Sequence, residues 1–121
     1  MKIALVDDDR ATNFLGSHLI KSVYGDCEIS CFENGKEILD CNSLDKFDYI
    51  FLDMNMPVID GNKFMDEYTS KKLGSAKIIV AMADVGDNNF ELIQQDHPLV
   101  VGFFNKPLTK EDVNQFLEPI A

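Results

Sequence analysis

With 121 residues, 45% of them hydrophobic, the chain is sized for one domain (1–121) around a single core, with no need of a disulfide or metal staple. Eleven basic against twenty-one acidic residues give a formal charge of −10, which argues against nucleic acid and anionic membrane surfaces and favours a protein partner or a cation. No apolar run approaches the roughly 18 residues of a membrane span, and no signal-peptide pattern opens the chain, so a soluble cytoplasmic protein is expected.

The apolar run 2–6, KIALV, ends in Asp7, Asp8 and Asp9 and reads as a first strand. Residues 10–24 carry Phe14, Leu15, Leu19 and Val23 at helical spacing, with Asp9 placed to cap and Gly25 to end the helix. Residues 27–32 alternate Cys27, Ile29 and Cys31 against Glu28 and Ser30, the pattern of a half-exposed edge strand. Asn34 and Gly35 turn the chain into a short helix over 36–42, with Ile38 and Leu39 inward.

The stretch 47–61, FDYIFLDMNMPVIDG, organises the rest. Tyr49 to Leu52 suit a strand buried on both faces of a parallel sheet, and the run stops at Asp53. A loop follows, with Pro57 fixing φ and Asp60 and Gly61 marking the next helix. That helix is expected over 62–73, with Phe64, Met65, Tyr68 and Leu73 inward and Gly74 closing it. Residues 77–81, KIIVA, read as a fourth buried strand. Met82, Ala83 and Asp84 lead into a loop with Gly86 and a short helix over 87–95, stopped by His97 and Pro98. The fifth strand is 99–104. After Asn105, Lys106 and Pro107, Thr109 caps a last helix, with Asp112 completing part of a capping box and Val113, Phe116 and Leu117 inward.

Five β-α alternations imply parallel strands joined by right-handed crossovers, with helices on both faces of one sheet. Three cysteines without a CxxC spacing read as small buried hydrophobes in a reducing compartment. His18 and His97 have no ligand spacing and read as surface or boundary residues.

In a parallel sheet the carboxyl ends of the strands share one edge, where such folds place their ligand crevice. Asp7 and Asp8, Asp53, Met82 and Lys106 stand at those ends. Two like charges about 4 Å apart cost roughly 4 kcal/mol at an effective dielectric of about 20. A hard divalent cation relieves this, and Mg²⁺ takes one or two carboxylates, keeps waters and bridges to phosphate. The backbone carbonyl of Asn55 adds an oxygen, and Lys106 a second positive charge. A carboxylate beside Mg²⁺ and lysine is a route to an aspartyl-phosphate, with Asp53 the nucleophile because it ends the central strand.

These residues together resemble the receiver domain of two-component response regulators, as in single-domain chemotaxis regulators. The paired acids of LVDDD, the stretch LDMNMPVIDG and the NKP after the fifth strand carry the likeness, in order over essentially the whole chain. The resemblance implies a flavodoxin-like fold with strand order 2-1-3-4-5. It makes Asp53 the phospho-acceptor, Asp8 a direct Mg²⁺ ligand, Asp7 a ligand acting largely through water, and Asn55 a carbonyl ligand. Lys106 would pair with the phosphoryl group, with Pro107 following through a cis bond. Asn55 and Asp84 would lie where the family tunes phosphoryl hydrolysis. The donor would be a histidine kinase or histidine phosphotransfer protein, and the output a contact with a downstream protein. The molecule would act as an acceptor rather than a turnover enzyme, as a monomer or weak dimer, either alone or cut from a longer hybrid kinase.

One position departs from the pattern. The family usually has Thr or Ser where Met82 stands, and its aromatic switch position is Phe103, which has no hydroxyl. Hence the alternative: a receiver fold that works as a phosphorylation-independent binding module. A Mg²⁺-dependent phosphatase is a third reading, but the general acid such enzymes commonly place two residues after the nucleophile is Asn55 here. A flavin-binding protein of similar topology is disfavoured, because no phosphate-cradling loop follows the first strand here.

Overall fold

A computed structural model of the chain describes residues 1–54, 60–82 and 89–117. Among them five strands and five α-helices alternate. They are β1 (Lys2–Val6), α1 (Arg10–Val23), β2 (Glu28–Phe32), α2 (Gly35–Leu39), β3 (Tyr49–Asp53), α3 (Gly61–Ser70), β4 (Lys77–Met82), α4 (Asn89–Asp96), β5 (Val100–Asn105) and α5 (Lys110–Phe116). The strands are all parallel in the order β2-β1-β3-β4-β5. This is the fold class expected from the sequence.

Side chains of successive strand residues point to opposite faces. Ile3 and Leu5 of β1, Phe51 of β3 and Phe104 of β5 therefore join Ile20 of α1 and Val113 and Leu117 of the α5 end. Ala4 and Val6, Ile50 and Leu52, Ile78 and Val80 face the other way, onto Ile38 of α2 and Phe64, Met65 and Tyr68 of α3. Phe90 and Ile93 of α4 pack against that second cluster. Every residue of β3 is buried, whereas Glu28, Ser30 and Cys31 of β2 are exposed. Each fully buried Ile or Leu contributes about 1.5–3 kcal/mol, so the interior strands rather than β2 carry the sheet.

Several sequence expectations need correction. Phe14 and Leu15 of α1 are 61% and 66% exposed, and the buried residues of that helix are Asn13 and Ile20. Cys27 is buried as expected, but Cys31 is exposed, because β2 is an edge strand. His97 is buried, with Nε2 3.5 Å from Asp66 of α3 and Nδ1 without a partner among the described residues. The second helix is a single short α2, followed by a 3₁₀ turn at Leu44–Lys46 that periodicity did not reveal.

The third helix ends at Ser70, before Leu73. Lys72 takes a left-handed φ of 51°, its N–H donates to the Thr69 carbonyl, and the Leu73 N–H donates to the Tyr68 carbonyl. That is the Schellman stop usually made by glycine. Gly74 serves a different purpose: a Cβ there would lie 2.3 Å from the Tyr68 hydroxyl oxygen. The hydroxyl needs that space because it accepts from the buried Ala76 N–H at 3.0 Å. β4 and β5 each reach one residue further than expected, pairing Met82 with Asn105. Between Ile78 and Ile79 the register shifts, so that Val101 is an extra residue in β5 and is exposed. Thr109 and Asp112 close the full reciprocal capping box on α5. The expected loop over 55–59, including Asn55 and Pro57, lies outside the described residues, as do Ala83, Asp84, Gly86 and the expected helix start at Asp87.

Candidate functional site

The ends of β1, β3 and β5 bring Asp7, Asp53 and Lys106 together. Asp7 and Asp53 are 5% and 4% exposed. The Lys106 ammonium lies 2.7 Å from Asp7 Oδ2 and 3.0 Å from Asp53 Oδ2. Register explains the meeting: Val6 lies opposite Leu52 and Asp53 opposite Ala81, so the chain leaves β1 and β3 at one level. The Lys106 to Pro107 peptide is cis.

Asp8 completes the cluster. It is exposed, and one carboxylate oxygen from each of Asp7, Asp8 and Asp53 lies within 4.8 Å of the others. Three carboxylates beside one ammonium gather the charge and hard-oxygen donors that suit a divalent cation such as Mg²⁺. Burial opposes the Lys106 charge, but hydrogen bonds to Asp7 and Asp53 outweigh it and hold its pKa above the usual lysine value of 10.5.

The turn carrying the acids is tightly pinned. The Asp9 N–H donates to Asp7 Oδ1 at 2.9 Å, and Asp9 Oδ1 in turn caps α1 by accepting from the Ala11 N–H at 2.9 Å. Asn13, one turn into α1, donates through Nδ2 to the Asp7 carbonyl at 3.0 Å and the Phe32 carbonyl at 3.1 Å. The sequence reading missed Asn13. Its signal was present: Asn13 shares a helix face with Gly16 and Ile20, and a polar residue on a buried stripe needs a partner.

Beside this charged floor lies a mostly apolar cavity of about 150 Å³ between α1 and the connection from β5 to α5, lined among others by Thr12, Leu15, Gly16, Phe51, Phe104 and Leu108. Met82 and Phe103 stand on the other side. Both pack against the core on the α2, α3 and α4 face, and the Phe103 ring lies 4.6 Å from the Phe90 ring of α4. The structure thus gathers Asp7, Asp8, Asp53 and Lys106, sets Met82 and Phe103 apart in an apolar patch, and leaves Asn55 outside the described residues.

Comparison with known proteins gives a consistent picture. The profile of the response regulator receiver domain matches residues 3–118. The tetrathionate response regulatory protein TtrR of Salmonella typhimurium is 30% identical over 116 residues, covering 96% of this chain. The chain spans 54% of that relative, about half its length. Among solved structures, the chemotaxis protein CheY4 of Vibrio cholerae superposes with a TM-score of 0.78 at 22% identity, covering 94% of this chain and 92% of that one. The receiver domain of a sensor histidine kinase from Pseudomonas aeruginosa also gives 0.78, at 20% identity, covering 94% and 91%; that structure holds magnesium in its active-site cleft. At such identities the two structures speak for the fold.

Proposed function

The chain belongs to the response regulator receiver domain family, and from that membership we propose that Asp53 accepts a phosphoryl group in two-component signalling. The observation that carries the reading is the shared ammonium of Lys106 between Asp7 and Asp53, beside Asp8. A divalent ion would be held by Asp7, Asp8, Asp53 and the carbonyl of Asn55. When bound, Mg²⁺ supplies neutralising charge to the carboxylates and to the phosphoryl oxygens.

The chain's own groups then have distinct tasks. A carboxylate oxygen of Asp53 forms the bond to phosphorus as the bond from phosphorus to the donor nitrogen breaks, the electron pair leaving with the imidazole of a histidine kinase or phosphotransfer protein. Lys106 stays beside the transferred group and balances its charge. Asp7, anchored through Lys106 and the Asp9 N–H, keeps the floor fixed while this happens. The molecule acts as an acceptor, and a downstream protein reads its altered surface. Among the described residues no helix is long and apolar enough to cross a membrane.

Incubation with acetyl phosphate and MgCl₂ followed by intact mass tests this. We expect one added phosphoryl group in the wild type, and none with EDTA or in Asp53→Asn. An unlabelled wild type, or labelling that survives Asp53→Asn, would overturn the reading.

A second reading has support in Met82 and Phe103. Met82 offers no hydroxyl to a phosphoryl oxygen, and Phe103 already packs on Phe90. A binding module indifferent to the state of Asp53 would have such a patch. It predicts equal affinity for a partner with and without the phosphoryl group.

A further inference from the structure

Asp8 is the weak point of the acidic cluster. It is exposed, and among the described residues it has no hydrogen bond or ion pair of its own. Lys106 holds the Asp7 and Asp53 carboxylates directly. Only its backbone fixes where the Asp8 carboxylate lies, and the peptide plane that leads into Asp8 begins with the Asp7 carbonyl.

That carbonyl is held by Asn13. The Asn13 side chain is buried, and both of its amide hydrogens are committed, one to Asp7 O at 3.0 Å and one to Phe32 O at 3.1 Å. The Phe32 carbonyl also accepts from the Asp7 N–H at 3.0 Å. One side chain on a 14-residue helix therefore clasps the last rung between β1 and β2 and the peptide just beyond it.

We propose that Asn13 is a positioning residue of this site: by holding the Asp7 carbonyl it fixes the peptide before Asp8 and so sets the Asp8 carboxylate for a divalent cation. The inference rests on the acceptor reading above and deepens it. Groups that orient metal ligands without touching the metal typically change affinity by about 10–100-fold when removed. Because the fault here is one loosened peptide rather than a lost ligand, the low end applies.

The test is calorimetric titration of the whole chain with MgCl₂, alongside thermal unfolding. Asn13→Leu keeps the volume and removes both donors. Asn13→Ala, the better helix former, decides the matter if the leucine variant does not fold. Tyr68→Phe is the matched control, because it strips the acceptor from the buried Ala76 N–H at the opposite end of the sheet. We expect about tenfold weaker Mg²⁺ binding in either Asn13 variant while circular dichroism shows it folded, with a parallel drop in acetyl phosphate labelling rate. Tyr68→Phe should melt earlier yet bind Mg²⁺ within about twofold of the wild type. Asn13 variants that bind like the wild type overturn the inference alone, as does affinity that merely follows melting temperature through all the variants. A wild type that neither binds Mg²⁺ nor takes up phosphate overturns the acceptor reading and this inference together.

Discussion

At the ends of β1 and β3 two buried carboxylates converge on one ammonium within 3.0 Å, whereas at the ends of β4 and β5 Met82 and Phe103 present apolar side chains to the core. The first half is held by short directional bonds and must respond when a cation or phosphoryl group changes the local charge. The second is held by dispersion and burial, which are indifferent to charge. Its polar exception is Asn105 Oδ1, buried and without a partner among the described residues, as the cross-strand neighbour of Met82.

The largest effect should come from the cation. MgCl₂ at about one hundred times its dissociation constant should raise unfolding stability by about 2.7 kcal/mol, measured by urea denaturation. Asp8→Ala should abolish that gain. A wild-type midpoint insensitive to MgCl₂ would show that the charged half has no divalent site.

Next is Lys106→Ala in metal-free buffer. Removing the shared cation leaves Asp7 and Asp53 facing each other while buried. Breaking a fully buried pair costs about 3–5 kcal/mol, and since the Lys106 side chain is 35% exposed, a loss of about 2 kcal/mol is expected. The raised Lys106 pKa gives the pH sign. This contribution is fully present below 10.5 and lost as pH rises beyond it, so it should stay constant through the neutral range.

Met82→Thr probes the apolar half. Shortening a partly buried Met should cost about 1 kcal/mol, with the new hydroxyl placed beside the unpartnered Asn105 oxygen. The Phe103 ring resonances should move on labelling in the variant and stay in place in the wild type. Equal movement in both would erase the contrast between the halves.

The smallest effect lies far from either half. Lys72→Gly relieves the left-handed φ of 51° at the end of α3 and should add about 0.5–1 kcal/mol, with Mg²⁺ affinity unchanged.

Much of this was legible beforehand, for identifiable reasons. Buried parallel strands are continuous apolar runs, so KIALV, YIFL and KIIVA announced themselves. Once the strands were known to be parallel, the site followed, because the carboxyl ends share an edge and Asp7, Asp8, Asp53 and Lys106 occupy them. What escaped was three-dimensional context. Phe14 and Leu15 fit a helical period but fall on the outer face of α1, while Asn13 takes the inner one. Gly74 looked like a helix stop because glycine usually is one; Lys72 does that work, and Gly74 makes room for a hydroxyl. His97 is buried in the tertiary fold, with Asp66, distant in sequence, 3.5 Å from its Nε2.

The extra residue at Val101 has a consequence for how these molecules meet one another. β5 is an outer strand, and outer strands invite neighbours to stack on as further strands. A kink one residue after the strand begins breaks the even row of amides that such stacking needs. Along that border the sheet is a poor template for its own growth, and association there must be through side chains.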